Sequence, residues 1–209
     1  MRLPAIIVYA KAPILGKVKT RLIPELGAQY ALELHQAFVQ DTLAMADSLS
    51  GSFDVELHTD LITEAWSWTG FRRVQTAGNL GAKMYATLQA SLSSGRPFAM
   101  IVGSDSPTLP RQHLMDLAQL SADLVLGPAR DGGYYAIGCR RLHPSMFDQV
   151  TWSSSRTLVE TEQAAQRCGL SSARGLEWFD VDTLADLASL LETNPQGHTG
   201  QVLREHGLS

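Results

Sequence analysis

The sequence predicts a doubly wound α/β domain: a mostly parallel, mixed sheet flanked by helices in three α/β/α layers. Two observations carry this. Short β-rich runs alternate with longer stretches of helical periodicity along most of the chain, which is the pattern of βα units. Several runs, such as Ala5–Ala10 (AIIVYA) and Phe98–Gly103 (FAMIVG), are apolar throughout, as strands covered on both faces are. The 209 residues, 44% hydrophobic, show no internal repeat, low-complexity stretch or linker, so a single domain over 1–209 is expected.

The elements follow in order. Ala5–Ala10 is a first buried strand. A loop from Lys11 to Pro24 is punctuated by Pro13, Gly16 and Pro24. Gly27–Leu49 carries apolar residues at Tyr30/Ala31, Leu34, Phe38, Met45 and Leu49, the spacing of one helix face. Phe53–Thr59 alternates and reads as a strand. Leu61–Trp68 is expected as a short helix and Arg72–Gln75 as a short strand. Asn79, in the loop Gly78-Asn79-Leu80-Gly81, suits the N-cap of a helix from about Gly81 to Leu92. Phe98–Gly103 is the next strand, and Pro110 opens a helix running to about Leu120. Asp123–Gly127 and Tyr134–Gly138 are strands joined by a short loop without a helix, so they are expected to pair antiparallel. Ser155–Arg167 is a helix with cap candidates at Ser153–Ser155 and a stop at Gly169. Trp178–Val181 is a last short strand and Thr183–Leu191 a last clear helix. The tail from Asn194 is expected to be loose or weakly helical.

Composition excludes several classes. With a net charge of −4 and both signs present, long-range attraction to nucleic acid is not implied. Cys139 and Cys168 match no ligand spacing and suggest a reducing compartment. No stretch is long and apolar enough to span a membrane, and Met1-Arg2-Leu3-Pro4 leads directly into a short strand without a signal-peptide cleavage pattern. A cytoplasmic location is the expectation by elimination.

Four stretches have the residue types for chemistry. In Lys11–Leu22 (KAPILGKVKTRL), four basic residues share one short loop after the first strand, the usual phosphate position of nucleotide-binding sheets. The loop is neither a P-loop nor a G-x-G-x-x-G, and it reads equally as a phosphate cradle or a solvated basic loop. In Gly103-Ser104-Asp105-Ser106-Pro107, Asp105 stands just past a strand end, where ligands of open α/β sheets bind. It suits a Mg²⁺ or Mn²⁺ ligand beside a diphosphate, or equally a turn. Asp180 and Asp182 flank Val181 and share one face of an extended chain. A carboxylate here would complete a cation site with Asp105, although the local pattern favours a helix cap at Asp182 or Thr183. In Gly127–Tyr135 (GPARDGGYY), Asp131-Gly132-Gly133 gives a ligand room against the main chain, and Asp131 has the chemistry to orient an acceptor hydroxyl or act as a base. A glycine hairpin explains it as well. The six histidines show no metal spacing, and Trp66, Trp68, Trp152 and Trp178 read as packing residues.

Taken in order, these motifs resemble the DUF2064 family of small bacterial GT-A-type nucleotide-diphospho-sugar transferases, some of which are glycosyltransferases associated with arsenosugar biosynthesis. The resemblance runs through Ala10–Pro13, Gly16–Leu22, Gly78–Met84, Gly103–Pro107, Gly127–Tyr135, Trp152-Ser153 and Asp180–Thr183. It implies a GT-A-like sheet with the nucleotide and its phosphates over Ala10, Lys11, Gly16, Lys17, Lys19, Thr20 and Arg21, joined by Asn79 and Ser104. Asp105 and Asp182 would hold Mg²⁺ or Mn²⁺, with Lys19 and Arg21 on the diphosphate. Asp131, Gly132, Gly133 and Trp152 would lie on the acceptor side, with Asp131, Lys19 and Arg21 catalytic. The implied partners are a nucleotide-activated donor and a small hydroxyl or phosphorylated acceptor. One segment departs from the family pattern: Gly-Asp-Leu-Gly-Glu-Arg-Met is here Gly-Asn-Leu-Gly-Ala-Lys-Met, so Asn79, Ala82 and Lys83 change the charge and the hydrogen-bond fork at that position. Lys19-Thr20-Arg21-Leu22 is also similar to phospholactate guanylyltransferases, which share the fold and attack a nucleoside triphosphate with a phosphorylated acceptor. Glycosyl transfer is the reading adopted, nucleotidyl transfer the alternative, and a non-catalytic nucleotide-binding protein the third.

Overall fold

A computed structural model describes residues 2–208; Met1 and Ser209 lie outside the described residues. Among the described residues, seven strands form one sheet: β1 (Ala5–Ala10), β2 (Asp54–Thr59), β3 (Phe71–Val74), β4 (Ala99–Gly103), β5 (Leu124–Pro128), β6 (Tyr134–Cys139) and β7 (Ser172–Arg174). Seven helices accompany them: α1 (Ile23–Leu26), α2 (Ala28–Asp47), α3 (Leu80–Ser93), α4 (Arg111–Gln119), α5 (Thr157–Arg167), α6 (Leu184–Glu192) and α7 (Gly197–Glu205). The strand order is β3-β2-β1-β4-β6-β5-β7. All neighbours are parallel except β6, which runs antiparallel to both β4 and β5, as the short loop before it predicts. Among the described residues, no helix is long and apolar enough to cross a membrane.

The period of two in the strands divides the core. Ile6, Val8 and Ala10 of β1 pack with Val39 and Leu43 of α2 and Leu114 and Leu117 of α4 on one face. Ala5 and Ile7 pack with Met84 and Leu88 of α3 and Leu158 and Ala165 of α5 on the other. A third cluster on the outer side of α2, with Leu34, Phe38, Val181, Leu190 and Leu203, clamps the C-terminal segment over the first loop. The chain leaves β1 towards β2 and β3, then crosses back to place β4 on the other side of β1. The carboxyl ends of β1 and β4 are therefore the topological switch point of the sheet, with Tyr9 in register with Gly103. Because β6 is antiparallel, its first residues, Tyr134 and Tyr135, lie at the same edge.

Several expectations are corrected. Leu61–Trp68 is not helical: the carbonyls of Thr63, Ala65, Trp66 and Trp68 turn towards the Arg72 guanidinium, at 2.6–3.3 Å, and are unavailable to a helix ladder. Trp178–Val181 is extended, but within it only Trp178 forms a ladder bridge, to Ala129. The sheet edge is supplied instead by β7, three residues in register with Leu124–Leu126 of β5. Of the two expectations for the tail, the helical one holds: α7 packs against α2, and Asp41 accepts hydrogen bonds from the amides of His198 and Thr199 at 2.9 and 2.8 Å.

Candidate active site

A cavity of about 550 Å³ opens at the switch point. Ala10, Lys11, Lys19, Thr20, Arg21, Ser104, Asp105 and Asp182, all expected site residues, line it. The first loop is shaped by its buried apolar members, Val18 and Leu22, which anchor it to the core. Gly16 turns it at φ +75°. Its start is tied down at two points: the amide of Ala12 donates to Asp60 at 2.6 Å, and the carbonyl of Lys11 lies 2.9 Å from Nε2 of buried His35. Burial pushes the His35 imidazole below its ordinary value, against the opposing pull of that carbonyl and of Asp105, so the ring is held neutral with Nε2–H donating.

The centre of the site is an ionic cluster. The Lys19 side chain is buried, and its ammonium pairs with Asp105, lies 3.1 Å from Asp182 Oδ1 and donates to the Val181 carbonyl at 2.7 Å. The Phe38 ring is 5.2 Å away. The Val181 amide donates to the Asp105 carbonyl at 2.8 Å, which stitches the 180–182 segment to the end of β4. Thus Asp182 reaches Asp105 as expected, while the helix-cap role falls to Thr183, which forms a capping box with Asp186. Burial raises the Asp105 carboxyl, but the charge and hydrogen bond of Lys19 more than offset it and hold the group below the usual range. Burial alone would lower Lys19; Asp105 and Asp182 reverse that and raise it, so the pair is fully charged. Asp180 accepts from the buried Ser106 hydroxyl. Burial pushes its carboxyl up to about 6 against that hydrogen bond, with Asp105, Asp131 and Asp182 adding to the rise.

The placement of Lys19 differs from the expectation of a side chain facing phosphate, for it faces the two carboxylates. Arg21 does turn outward: its side chain is 68% exposed and only 4.0 Å from Asp182 at the nearest. Lys11 and Lys83 also line the cavity and have no ion-pair partner among the described residues. Asp105 and Asp182 are nearly half exposed to the cavity, at 46% and 45%, and the second oxygen of each is not bonded by Lys19. An all-oxygen pair of this kind fits a hard divalent cation. No cluster of three His, Cys, Asp or Glu side chains suited to a metal occurs among the described residues, so most of the ion's coordination would come from water or phosphate.

The other expected residues fall outside the cavity wall. Gly16 and Lys17 sit on the outer side of the loop, and Asn79 spends its side chain capping α3, accepting from the Ala82 amide at 2.9 Å. Trp152 packs against Phe147 at 5.8 Å and covers Gly81, where a Cβ would come within 2.7 Å of the indole. Asp131 is exposed and accepts from the Gly133 amide at 2.8 Å, closing its own turn. Gly132 is fixed by backbone geometry: its φ is +87°, and its carbonyl accepts from the Leu158 amide at 3.0 Å. Sequence reasoning missed Tyr9, His35, Asp60, Gln75 and Tyr134 in the wall. His35 had a signal, since a histidine among Ala31, Leu34 and Phe38 on the apolar stripe of α2 needs a buried partner.

Residues 35–154 match the model of the family described as "uncharacterized protein conserved in bacteria (DUF2064)". Among solved structures, the fold is similar to one from Desulfovibrio desulfuricans G20 provisionally described as a nucleotide-diphospho-sugar transferase. The identity is 30%, the TM-score 0.88, and the match covers 99% of this chain and 96% of that one. CMP:2-keto-3-deoxy-manno-octonic acid synthetase complexed with CTP matches at 10% identity and TM-score 0.57, over 90% of this chain and 96% of that one. The 4-diphosphocytidyl-2C-methyl-D-erythritol synthase of Anaerococcus prevotii matches at 11% and 0.56, over 90% and 94%. These two share the fold alone. No protein of curated function matches the sequence.

Proposed function

Because the chain belongs to the DUF2064 family, we propose that it is a transferase that uses a nucleotide-activated donor, and that it moves a glycosyl group from a nucleotide-diphospho-sugar to the hydroxyl of a small acceptor. The observation that carries this reading is the convergence, on one cavity at the switch point, of the outward cations Lys11, Arg21 and Lys83 with the paired carboxylates Asp105 and Asp182. The likeness to the D. desulfuricans protein supports the donor class.

In this reading the nucleotide lies along the ends of β1 and β4, and its diphosphate meets the first loop. Arg21 presents a planar fork to phosphate oxygens, and Lys11 and Lys83 supply point charges. The His35 bond to the Lys11 carbonyl fixes the loop so that these groups are in place before the donor binds. Asp105 and Asp182 would hold Mg²⁺ or Mn²⁺. Such an ion, when bound, neutralises charge developing on the leaving diphosphate. Asp131, exposed in the loop between β5 and β6, takes the role of positioning the acceptor hydroxyl, in a loop whose shape Gly132 enforces. Charge-assisted hydrogen bonds from Arg21 to the leaving group strengthen as charge accumulates there, which is the condition for lowering the barrier.

The alternative is nucleotidyl transfer from a nucleoside triphosphate. One observation favours it: Lys11, Arg21 and Lys83, none held in a close ion pair among the described residues, line one cavity and together offer the donors a triphosphate needs. Product analysis separates the two. The protein is incubated with a panel of sugar nucleotides, and separately with nucleoside triphosphates plus phosphorylated acids, each with Mn²⁺. Nucleoside diphosphate released from a sugar nucleotide supports the proposal, whereas pyrophosphate released from a triphosphate overturns it in favour of the alternative.

A further inference from the structure

We propose that Lys19 is a placeholder cation: its ammonium holds the position between Asp105 and Asp182, so that a divalent ion enters only together with a diphosphate and does not load beforehand. This deepens the reading of the cavity as a diphosphate site and rests on it.

The geometry of one side chain carries the inference. An ammonium has three protons, and here all three have acceptors: Asp105, Asp182 Oδ1 at 3.1 Å and the Val181 carbonyl at 2.7 Å. Only 3% of the side chain is exposed, so no donor is left over for a phosphate in this state. Lys11 and Lys83, without ion-pair partners, and Arg21, mostly exposed, keep theirs free for the cavity. Lys19 is therefore committed to the carboxylates in the absence of ligand, and the other cations are not.

The backbone supplies a second, independent observation. Lys19 sits at φ +44°, in the left-handed region that side chains other than glycine rarely adopt. The turn is enforced by the Leu22 amide donating to the Lys19 carbonyl at 2.9 Å and by burial of Val18 and Leu22 on either side. Such conformations persist where surroundings over-determine them, and they gather at sites where a switch or a ligand clamp needs them. Here the result is to aim the side chain inward.

Charge then decides the order of binding. Two carboxylates, open to the cavity on one side, around one buried ammonium leave a single formal negative charge. A divalent ion added to that pair meets the ammonium a few ångström away, and their repulsion opposes binding. A diphosphate brings negative charge on the open side of the cavity. It compensates the metal and gives the ammonium new oxygens to turn to, so the ion and the diphosphate enter together. Lys19 then serves twice, first in place of the metal and afterwards beside it.

The test uses Mn²⁺ alone, titrated onto the wild-type protein and onto Lys19→Met and Lys19→Gly, with free Mn²⁺ followed by electron paramagnetic resonance. Glycine accepts the positive φ, so the second variant keeps the turn without the side chain. Each variant is expected to bind one Mn²⁺ at least tenfold more tightly than wild type, about 1.4 kcal/mol. The gain should vanish when Asp105→Asn is added. Unchanged or weaker Mn²⁺ binding in both variants overturns the proposal. If both variants fail to fold, the wild type decides by amine acylation read by mass spectrometry. Acylation of Lys19, relative to exposed Lys17, should be unchanged by Mn²⁺ alone and should change when Mn²⁺ and pyrophosphate are added together; a change with Mn²⁺ alone, or none with both, overturns the proposal. A thermal-shift titration with pyrophosphate tells this failure from failure of the underlying reading. Pyrophosphate binding with no gain in Mn²⁺ affinity removes the placeholder and leaves the diphosphate site. A gain in Mn²⁺ affinity with no pyrophosphate binding removes the diphosphate site.

Discussion

Replacing Gly132 by alanine should cost far more than replacing a glycine of similar backbone conformation in open space. Gly132 has φ +87°, and a Cβ built there would lie 2.2 Å from the Ser155 carbonyl oxygen and 2.6 Å from its carbon. Ser155 cannot move aside freely, because the turn is braced by the Thr157 amide donating to the Ser154 carbonyl at 3.1 Å and by the Leu158 amide donating to Gly132 itself. Two penalties therefore add: about 1–2 kcal/mol for a left-handed L-residue and about 1–3 kcal/mol for overpacking against backbone. The sum, about 2–5 kcal/mol, is a large share of a stability of roughly 5–15 kcal/mol. Gly169 provides the comparison, with φ +70° and nothing within 4 Å of a Cβ. There only the first penalty applies, about 1–2 kcal/mol. The unfolded-chain entropy change is common to both substitutions and cancels. Urea unfolding followed by circular dichroism measures both variants. Equal losses would refute the packing argument and with it the claim that the Asp131-Gly132-Gly133 turn is held rigidly on the start of α5.

Three further outcomes follow from the same geometry. Arg21→Ala should leave stability within about 0.5 kcal/mol, because the side chain is exposed and its ion pair is loose. It should nevertheless weaken pyrophosphate or nucleotide binding by about tenfold, the loss of one charge-assisted contact of roughly 1.5 kcal/mol, measured by calorimetry. His35 has its imidazole pKa below the ordinary 6.5, with burial as the chief cause. The folded protein therefore excludes a proton that the unfolded chain takes up, and the stability this group contributes is present above pH 6.5 and lost as the pH falls below it. Unfolding free energies of wild type and His35→Gln at pH 7.5 and 5.5 should differ less at the lower pH, and a constant difference contradicts the assignment. Asp41→Ala should cost about 1 kcal/mol, as loss of a helix cap does, and should increase hydrogen exchange first in α7, whose leading amides it holds.

The strands that build the site were legible because burial on both faces leaves a plain mark. The runs ending at Ala10 and Gly103 are apolar and uninterrupted, and they place the basic loop and Asp105 at one edge, as the register of the two strands shows. The late aspartates were legible as a pair but not as a clasp. Their junction with Asp105 is a backbone hydrogen bond from Val181 and a lysine between two carboxylates, and both depend on contacts more than 70 residues apart in sequence. β7 was invisible because Ser-Ala-Arg has no apolar signature; its place is set by the free edge of β5. α7 was legible only as one of two alternatives for the tail; Gly197 and Gly200 are poor helix formers. Tertiary contacts override that propensity, and at Gly200 a Cβ would come within 2.0 Å of the Pro195 carbonyl oxygen. The helix expected over Leu61–Trp68 failed because the Arg72 guanidinium, four to nine residues further along the chain, outcompetes the helical ladder for the carbonyls. Asp131 and Trp152 stood in the right motifs, but the first closes its own turn and the second fills the space over Gly81.

The central claim is that the cavity at the ends of β1 and β4 receives a nucleotide-activated donor through its phosphates. The most direct measurement is the thermal shift of the wild-type protein with a panel of sugar nucleotides and Mn²⁺, repeated on Arg21→Ala and Asp105→Asn, since a ligand that binds only the native state raises its apparent stability. The account predicts a concentration-dependent rise in Tm for at least one sugar nucleotide, reduced in Arg21→Ala and no longer Mn²⁺-dependent in Asp105→Asn. No shift with any nucleotide, or a shift undiminished in both variants, would contradict it.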